Sequence, residues 1–502
     1  MCKSGTLLSF QFLESLMFRI LYVSALLFAV GSVWAQDDVQ SKSLSLSDCF
    51  IGAESSGVSV AAQCGRLSVP EDRDNPDVRS IDLNVAVVNA DVENPEQDAV
   101  VLLAGGPGQA AVDTFAVMAR NLSQLLPKHR IVMVDQRGTG ESHPLRCDFE
   151  MEEFADITDW RSPEMVQWLK DCHASLDADT RFYTTTIAIE DLESVRQALG
   201  IEQWNIYGGS YGTRKGLTYM KLYPDSIRTA VLDGVMPQQE AMAAAHETNL
   251  QNTLKNVFRL CREDEQCQER FGDAEQQMWT LLQSLEEQPI EMRLPNPSSG
   301  DYETFELTRD FAVIGLRMFS YSPETMGMIP LLVSLANHDQ PQNLAQQAFM
   351  VTSSLTDNLN NALELSVVCA EDVPFLPQKQ NTQNSLFGDE FFEMMSSRCD
   401  YWDADVVDAS FKDPVVSDIP TLLLSGEYDP VTPPTFADVA METLSNAQHL
   451  VAQGQGHIVA NRGCMPKIMT AFIKDPAEEL ETECMNNFKQ PAFFINLNGP
   501  QQ

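Results

Sequence analysis

The residues best suited to chemistry sit in Ile206-Tyr-Gly-Gly-Ser-Tyr-Gly-Thr213, a G-x-S-x-G pattern between a short apolar run and a helical stretch that continues to about Tyr223. Glycines on both sides of Ser210 permit a sharp strand-to-helix turn. Such a turn lifts the hydroxyl into the open and aims the Tyr211 N–H at a developing oxyanion. A second donor is expected from Leu103-Ala-Gly-Gly-Pro-Gly108, where Gly106, or alternatively Gly105, brings backbone close to a substrate oxygen. No G-K-[ST] follows these glycines, so they are not a phosphate cradle. A serine nucleophile needs a base. Of seven histidines, His457 in Gly454-Gln-Gly-His457 lies in a short loop beyond the last expected strand, while His143, after the Asp135–Ser142 turn, is the alternative. Asp429 in Ser425-Gly-Glu-Tyr-Asp-Pro430 is the favoured acid and Asp233 in Leu232-Asp-Gly-Val235 its rival; the chain order Ser, Asp, His suits either.

The elements that must position these residues follow from periodicity. Ile81–Val88, Ala99–Leu103, Ile131–Val134, Trp204–Tyr207, Thr229–Leu232, Thr421–Leu424 and Leu450-Val451 are short, apolar and mostly separated by helical stretches. That rhythm predicts an α/β fold, a mostly parallel central sheet flanked by helices. Between Pro237 and about Pro414 the pattern turns helical: Ala241–Cys261, Ala274–Leu285, Thr308–Ser320 and Asn343–Val368 read as helices, with no convincing strands among them. The expected organisation is a signal peptide over 1–35, a core over 36–237, a helical cap over 238–414 and the remaining core over 415–502.

Composition narrows the class. With 72 Asp+Glu against 33 Lys+Arg, the formal charge is −39, which excludes a nucleic-acid binder and disfavours an anionic membrane surface. Arg19, the apolar run Ile20–Val30 and Val33-Trp-Ala35 form a secretory signal cut before Gln36, with no lipobox cysteine and no later spanning segment, so no membrane anchor survives cleavage. Beyond the signal ten cysteines remain, an even number that in an exported chain reads as disulfides. Nearest-neighbour pairing would join 49–64, 147–172, 261–267, 369–399 and 464–484. Zinc is a weak alternative, since no C-x-x-C occurs and the histidines are dispersed.

Together, Cys64-Gly-Arg-Leu-Ser-Val-Pro70, Gly105-Gly-Pro-Gly108, Asp135-Gln-Arg-Gly-Thr-Gly140, Gly208-Gly-Ser-Tyr-Gly212, Cys369-Ala-Glu-Asp372 and Gly426-Glu-Tyr-Asp-Pro430 resemble the secreted α/β-hydrolase peptidases of the proline iminopeptidase and tripeptidyl aminopeptidase type. The tail from Gly463-Cys464 to Cys484 resembles the C-terminal segment of the tripeptidyl branch. The resemblance implies an α/β-hydrolase fold with a helical cap after the sixth strand. It also implies removal of residues from free peptide N-termini through a serine acyl-enzyme, without metal or cofactor. Acidic residues of the cap would hold the substrate ammonium, with Glu371 the first candidate and Asp372 the second. Proline iminopeptidases usually carry His before the G-G-P-G turn; Ala104 stands here, which points toward the tripeptidyl branch. Asp135 and Arg137 are expected to hold their turn. An esterase on the same fold is the alternative, and a non-catalytic binding protein a remote one.

Overall fold

In the computed structural model, residues 44–500 are described except 53–56, 58, 148–161, 243, 296–299, 377–384 and 388–394, so the expected signal peptide lies outside the described residues. Among the described residues nine strands form one sheet in the order β1-β2-β3-β5-β4-β6-β7-β10-β11. They are β1 (Ser47–Ile51), β2 (Val60–Pro70), β3 (Ser80–Val88), β4 (Ala99–Leu103), β5 (Arg130–Val134), β6 (Trp204–Gly209), β7 (Ile227–Asp233), β10 (Thr421–Gly426) and β11 (Ala447–Ala452). From β5 onward the neighbours are parallel; β1, β2 and β3 are joined antiparallel at one side.

The central strands are parallel because each is apolar on both faces. Every residue of β4, β6 and β10 is buried, and helices returning over the sheet cover both sides. Val100 and Leu102 enter one core with the helix Ala111–Leu125, while Val101 and Leu103 enter another with Ile189, Leu192 and Leu217. Leu102 pairs in register with Tyr207, and Tyr207 with Val231. The carboxyl ends of β4, β6, β7, β10 and β11 therefore share one edge, the place where open α/β sheets bind ligands.

An insertion separates β7 from β10. Setting aside the short edge strand β1, it follows the sixth strand of the sheet. Its helices His246–Glu263, Ala274–Glu287, Arg309–Phe319 and Ile329–Ala336 surround a core of their own that includes Leu254, Phe258, Leu282 and Leu316.

Two sequence expectations need correction here. A hairpin of β8 (Ile290–Pro295) and β9 (Tyr302–Leu307) stands among the helices. Its signal was present, since Ile290-Glu-Met-Arg-Leu294 alternates with a period of two, but the run is short and half-exposed. The single helix expected over 343–368 is two, Gln342–Asn358 and Asn361–Glu371. At the break Leu359 bridges to Gln109, and the Asn360 backbone and side-chain N–H groups both donate to the Gly108 carbonyl at 3.0 Å. Contacts to a distant turn thus outweigh helix continuity.

All five cysteine pairs expected from nearest neighbours are bonded. Among the described residues no helix is long and apolar enough to cross a membrane.

Candidate active site

Ser210 ends the turn after β6 with φ +55° and ψ −123°, a conformation non-glycine residues rarely adopt. Its backbone is pinned on both sides. The Ser210 amide donates to the Asp233 carbonyl at 2.8 Å, and its carbonyl accepts from the Thr213 amide at 2.8 Å and hydroxyl at 2.6 Å. The flanking glycines are required by space: a Cβ at position 212 would overlap the Leu103 carbonyl oxygen. That close approach brings the helix Tyr211–Leu222 onto the end of β4 and sets Gly105 against the Ser210 Cβ. Among the described residues neither the Tyr211 nor the Gly106 amide has a protein acceptor, so both remain open to a substrate oxygen.

His457 and Asp429 meet across two loops. The Asp429 carboxylate, inaccessible to solvent, lies with Oδ2 2.8 Å from His457 Nδ1. An ionised carboxylate only accepts, so Nδ1 carries the hydrogen and Nε2 is left as the acceptor. Asp429 also accepts from the Val431 amide at 2.8 Å, the Thr432 amide at 2.9 Å and the Thr432 hydroxyl at 2.9 Å. Thr432 was not anticipated from sequence; its hydroxyl lies 3.2 Å from the same imidazole nitrogen. On the other side the His457 amide donates to the Tyr321 carbonyl at 2.9 Å, and the Tyr321 ring meets the imidazole edge-on with centroids 5.2 Å apart.

The rival acid has a different task. Asp233 is buried at the end of β7, where it accepts from the Val459 amide at 3.0 Å, the Ala460 amide at 2.8 Å and the Tyr207 hydroxyl at 3.2 Å. Burial pushes its carboxyl up to about 6, partly offset by those hydrogen bonds. It braces the backbone just after His457. The alternative base, His143, is half-buried and bonded to the Asp177 carbonyl at 2.8 Å, and it does not line the cleft that Ser210 lines.

Ser210, Tyr211, Gly105, Gly106 and His457 line one cleft of about 980 Å³. Glu371 and Asp372 do not, which corrects their expected place. Glu371 is fully buried, accepting from the Thr185 amide at 2.6 Å and hydroxyl at 2.7 Å, and burial pushes its carboxyl up to about 7. Asp372 accepts from Arg214 at 2.9 Å, Lys412 at 3.1 Å and the Met242 amide at 2.9 Å. The reason is axial. Their helix starts over the Gly105–Gln109 turn and runs into the interior, so Glu371 sits two turns, about 10 Å, beyond Glu364, the carboxylate that does line the cleft. Glu364 pairs loosely with Arg398 at 3.5 Å. Helical period alone would have put Glu364 and Glu371 on one face, but not said which end meets the cleft.

Asp135 and Arg137 hold structure. Asp135 accepts from the Val112 amide at 2.9 Å and Asn84 at 2.8 Å, while the buried Arg137 grips Asp191 at 2.6 and 2.8 Å and reaches the Glu71 carbonyl at 2.8 Å. Among the described residues no group of three or more His, Cys, Asp or Glu is arranged to hold a metal ion.

Comparison with known proteins bears on the fold. A family model described as the alpha/beta hydrolase fold matches residues 98–460. The serine protease Hip1 of Mycobacterium tuberculosis is 23% identical over 454 residues, covering 82% of this chain and 85% of that protein. A tripeptidyl aminopeptidase of Streptomyces lividans is 29% identical over 191 residues, 35% of each chain. A proline iminopeptidase of Neisseria gonorrhoeae is 30% identical over 142 residues, 28% of this chain and 34% of its own. With the strand order, the serine turn and the matching family model in agreement, this chain belongs to the α/β hydrolase fold family, in the company of serine peptidases.

Proposed function

We propose that this protein is an exported serine exopeptidase that releases residues from free peptide N-termini. The observation that carries the reading is the 2.8 Å contact of His457 Nδ1 with the buried Asp429 carboxylate, at a cleft shared with a strained, backbone-pinned serine. Ser210 attacks the scissile carbonyl while His457 Nε2 takes its proton. Asp429 holds the tautomer and stabilises the imidazolium, and the amides of Tyr211 and Gly106 receive the oxyanion. His457 then protonates the leaving amine and activates the water that cleaves the acyl-enzyme. No step needs a metal or cofactor.

The peptidase reading over an esterase rests on the relatives named serine protease, tripeptidyl aminopeptidase and proline iminopeptidase. With Glu371 and Asp372 committed to the interior, Glu364 becomes the carboxylate placed to hold a substrate ammonium. Export is supported by five disulfides, which persist in oxidising compartments. The test is kcat/KM on alanyl and prolyl peptide anilides, free and N-acetylated, beside Ser210→Ala and Glu364→Gln. Cleavage confined to free amines, lost in Ser210→Ala and weakened through KM in Glu364→Gln, is the expected result. Equal turnover of acetylated anilides, or brisk ester cleavage alone, would reject the aminopeptidase and leave a serine hydrolase.

A further inference from the structure

The charges on the cleft wall run against those of the whole chain. Although the formal charge is −39, the cleft is lined by two guanidinium groups, Arg317 and Arg398, and one carboxylate, Glu364. Arg398 is matched by Glu364 at 3.5 Å. Arg317 has no matching charge: among the described residues no carboxylate pairs with it, its Nη2 lies 3.4 Å from His246 Nε2, and its Nε is buried with no hydrogen-bond partner. His246 supplies no counter-charge, because burial holds its imidazole well below the ordinary pKa, with Arg317 acting in the same direction. An uncompensated guanidinium is a costly thing to leave in a partly closed site, and in a chain with more than twice as many acids as bases a partner would be easy to supply.

The position of Arg317 says which part of a substrate it meets. It lies in the last turn of the helix Arg309–Phe319, four residues before Tyr321, whose carbonyl and ring hold His457. In the mechanism proposed above His457 protonates the departing amine, which assigns the cleft wall carrying Tyr321 and Arg317 to the leaving group. Glu364 stands on a different element, the helix that begins over the Gly105–Gln109 turn. We propose that Arg317 is a specificity-determining residue that binds a carboxylate on the leaving portion of the substrate, which makes short peptides with a free C-terminal carboxylate near the scissile bond the favoured substrate class. The inference rests on the exopeptidase reading above. A guanidinium suits this task because its planar fork takes a carboxylate through two charge-assisted hydrogen bonds. The competing account is structural: a cation in the last turn of a helix interacts favourably with the helix dipole whatever the substrate.

The two accounts separate in a ratio. Matched peptides of two to five residues, each with the same leaving residue as free acid, as C-terminal amide, and as amide carrying a glutamyl side chain, are compared by kcat/KM. A hydrogen-bonded charge pair corresponds to an acid-to-amide preference of about 10–100-fold in the wild type. Arg317→Gln is expected to collapse that ratio to about one and Arg317→Lys to retain part of it. Recovery of turnover by the glutamyl amide identifies side-chain carboxylates as equally accepted; no recovery restricts the site to the terminal carboxylate. An acid-to-amide ratio near one in the wild type overturns the proposal without any variant, as does a preference that survives in Arg317→Gln. Loss of thermal stability in Arg317→Gln with the preference intact establishes the helix-dipole role instead. N-acetylated forms of the same peptides are run in parallel. If acetylation has no effect while the acid preference stands, the free-amine reading falls and the carboxylate site survives; absence of turnover on every peptide overturns both.

Discussion

Asp429→Asn tests the division of labour between the two buried acids. Oδ1 of Asp429 accepts the Val431 and Thr432 amides, while Oδ2 faces His457 Nδ1 and the Thr432 hydroxyl. In the asparagine variant the side-chain oxygen must stay with the two amides, since an NH₂ there would face two donors. The NH₂ therefore takes the place of Oδ2 and points at His457 Nδ1. The imidazole can meet it only by accepting at Nδ1, which puts its hydrogen on Nε2, where it cannot take the Ser210 proton. Wrong-tautomer substitutions of this kind lower kcat by about 10⁴, or about 5 kcal/mol of barrier. KM should change little, because Asp429 is not among the cleft-lining residues. Asp233→Asn is the control. Among the described residues its carboxylate accepts from the Val459 and Ala460 amides and the Tyr207 hydroxyl, so its loss should cost about 1–3 kcal/mol of stability and less than about tenfold in kcat. Steady-state kinetics of both variants on one peptide anilide, with thermal melts alongside, decides the matter. A larger kcat loss in Asp233→Asn than in Asp429→Asn would refute the assignment of the acid.

Three further outcomes are expected. Ser210→Gly relieves the φ of +55° and should raise stability by about 1–3 kcal/mol by thermal melt while abolishing turnover; an unchanged or lower Tm contradicts the strain. Gly234→Ala puts a Cβ 2.9 Å from Thr432 Oγ1 and 3.1 Å from His457 Cε1 at a φ of +67°, so kcat should fall by about 10²-fold through displacement of the imidazole; wild-type kcat in a folded variant would show that the ring tolerates the move. Burial raises the Glu371 carboxyl from 4.5 to about 7 and that of Asp233 to about 6, so the folded state holds these protons more tightly than the unfolded chain. Their stabilising contribution is complete below about pH 4 and drains as pH rises toward 7. The Tm of Glu371→Gln relative to wild type should accordingly improve as pH rises from 4.5 to 7, and a pH-independent difference would contradict the sign.

The sequence by itself determined the features that neighbouring residues encode. Gly208 to Gly212 carry both the turn and the serine it strains. Gly105-Gly-Pro-Gly108 carries the second backbone approach, and alternating apolar runs place both at strand ends. His457 and Asp429 were legible because each closes a loop directly after a strand, and in a parallel sheet those loops converge on one edge. The disulfides followed because each bond joins cysteines adjacent in the cysteine order. Only the tertiary structure decided what side chains in the insertion face. Glu371 and Glu364 occupy equivalent helical phases, yet the anchoring of Asn360 on the Gly108 carbonyl sends one into a buried pair with Thr185 and leaves the other in the cleft. Arg317 reads in sequence as a polar position of an amphipathic helix, and Thr432 as the residue before two prolines. Their meaning arises from chain segments up to about 200 residues apart packing together, as Thr432 does against Gly234, a long-range choice governed by shape and burial that local periodicity does not encode.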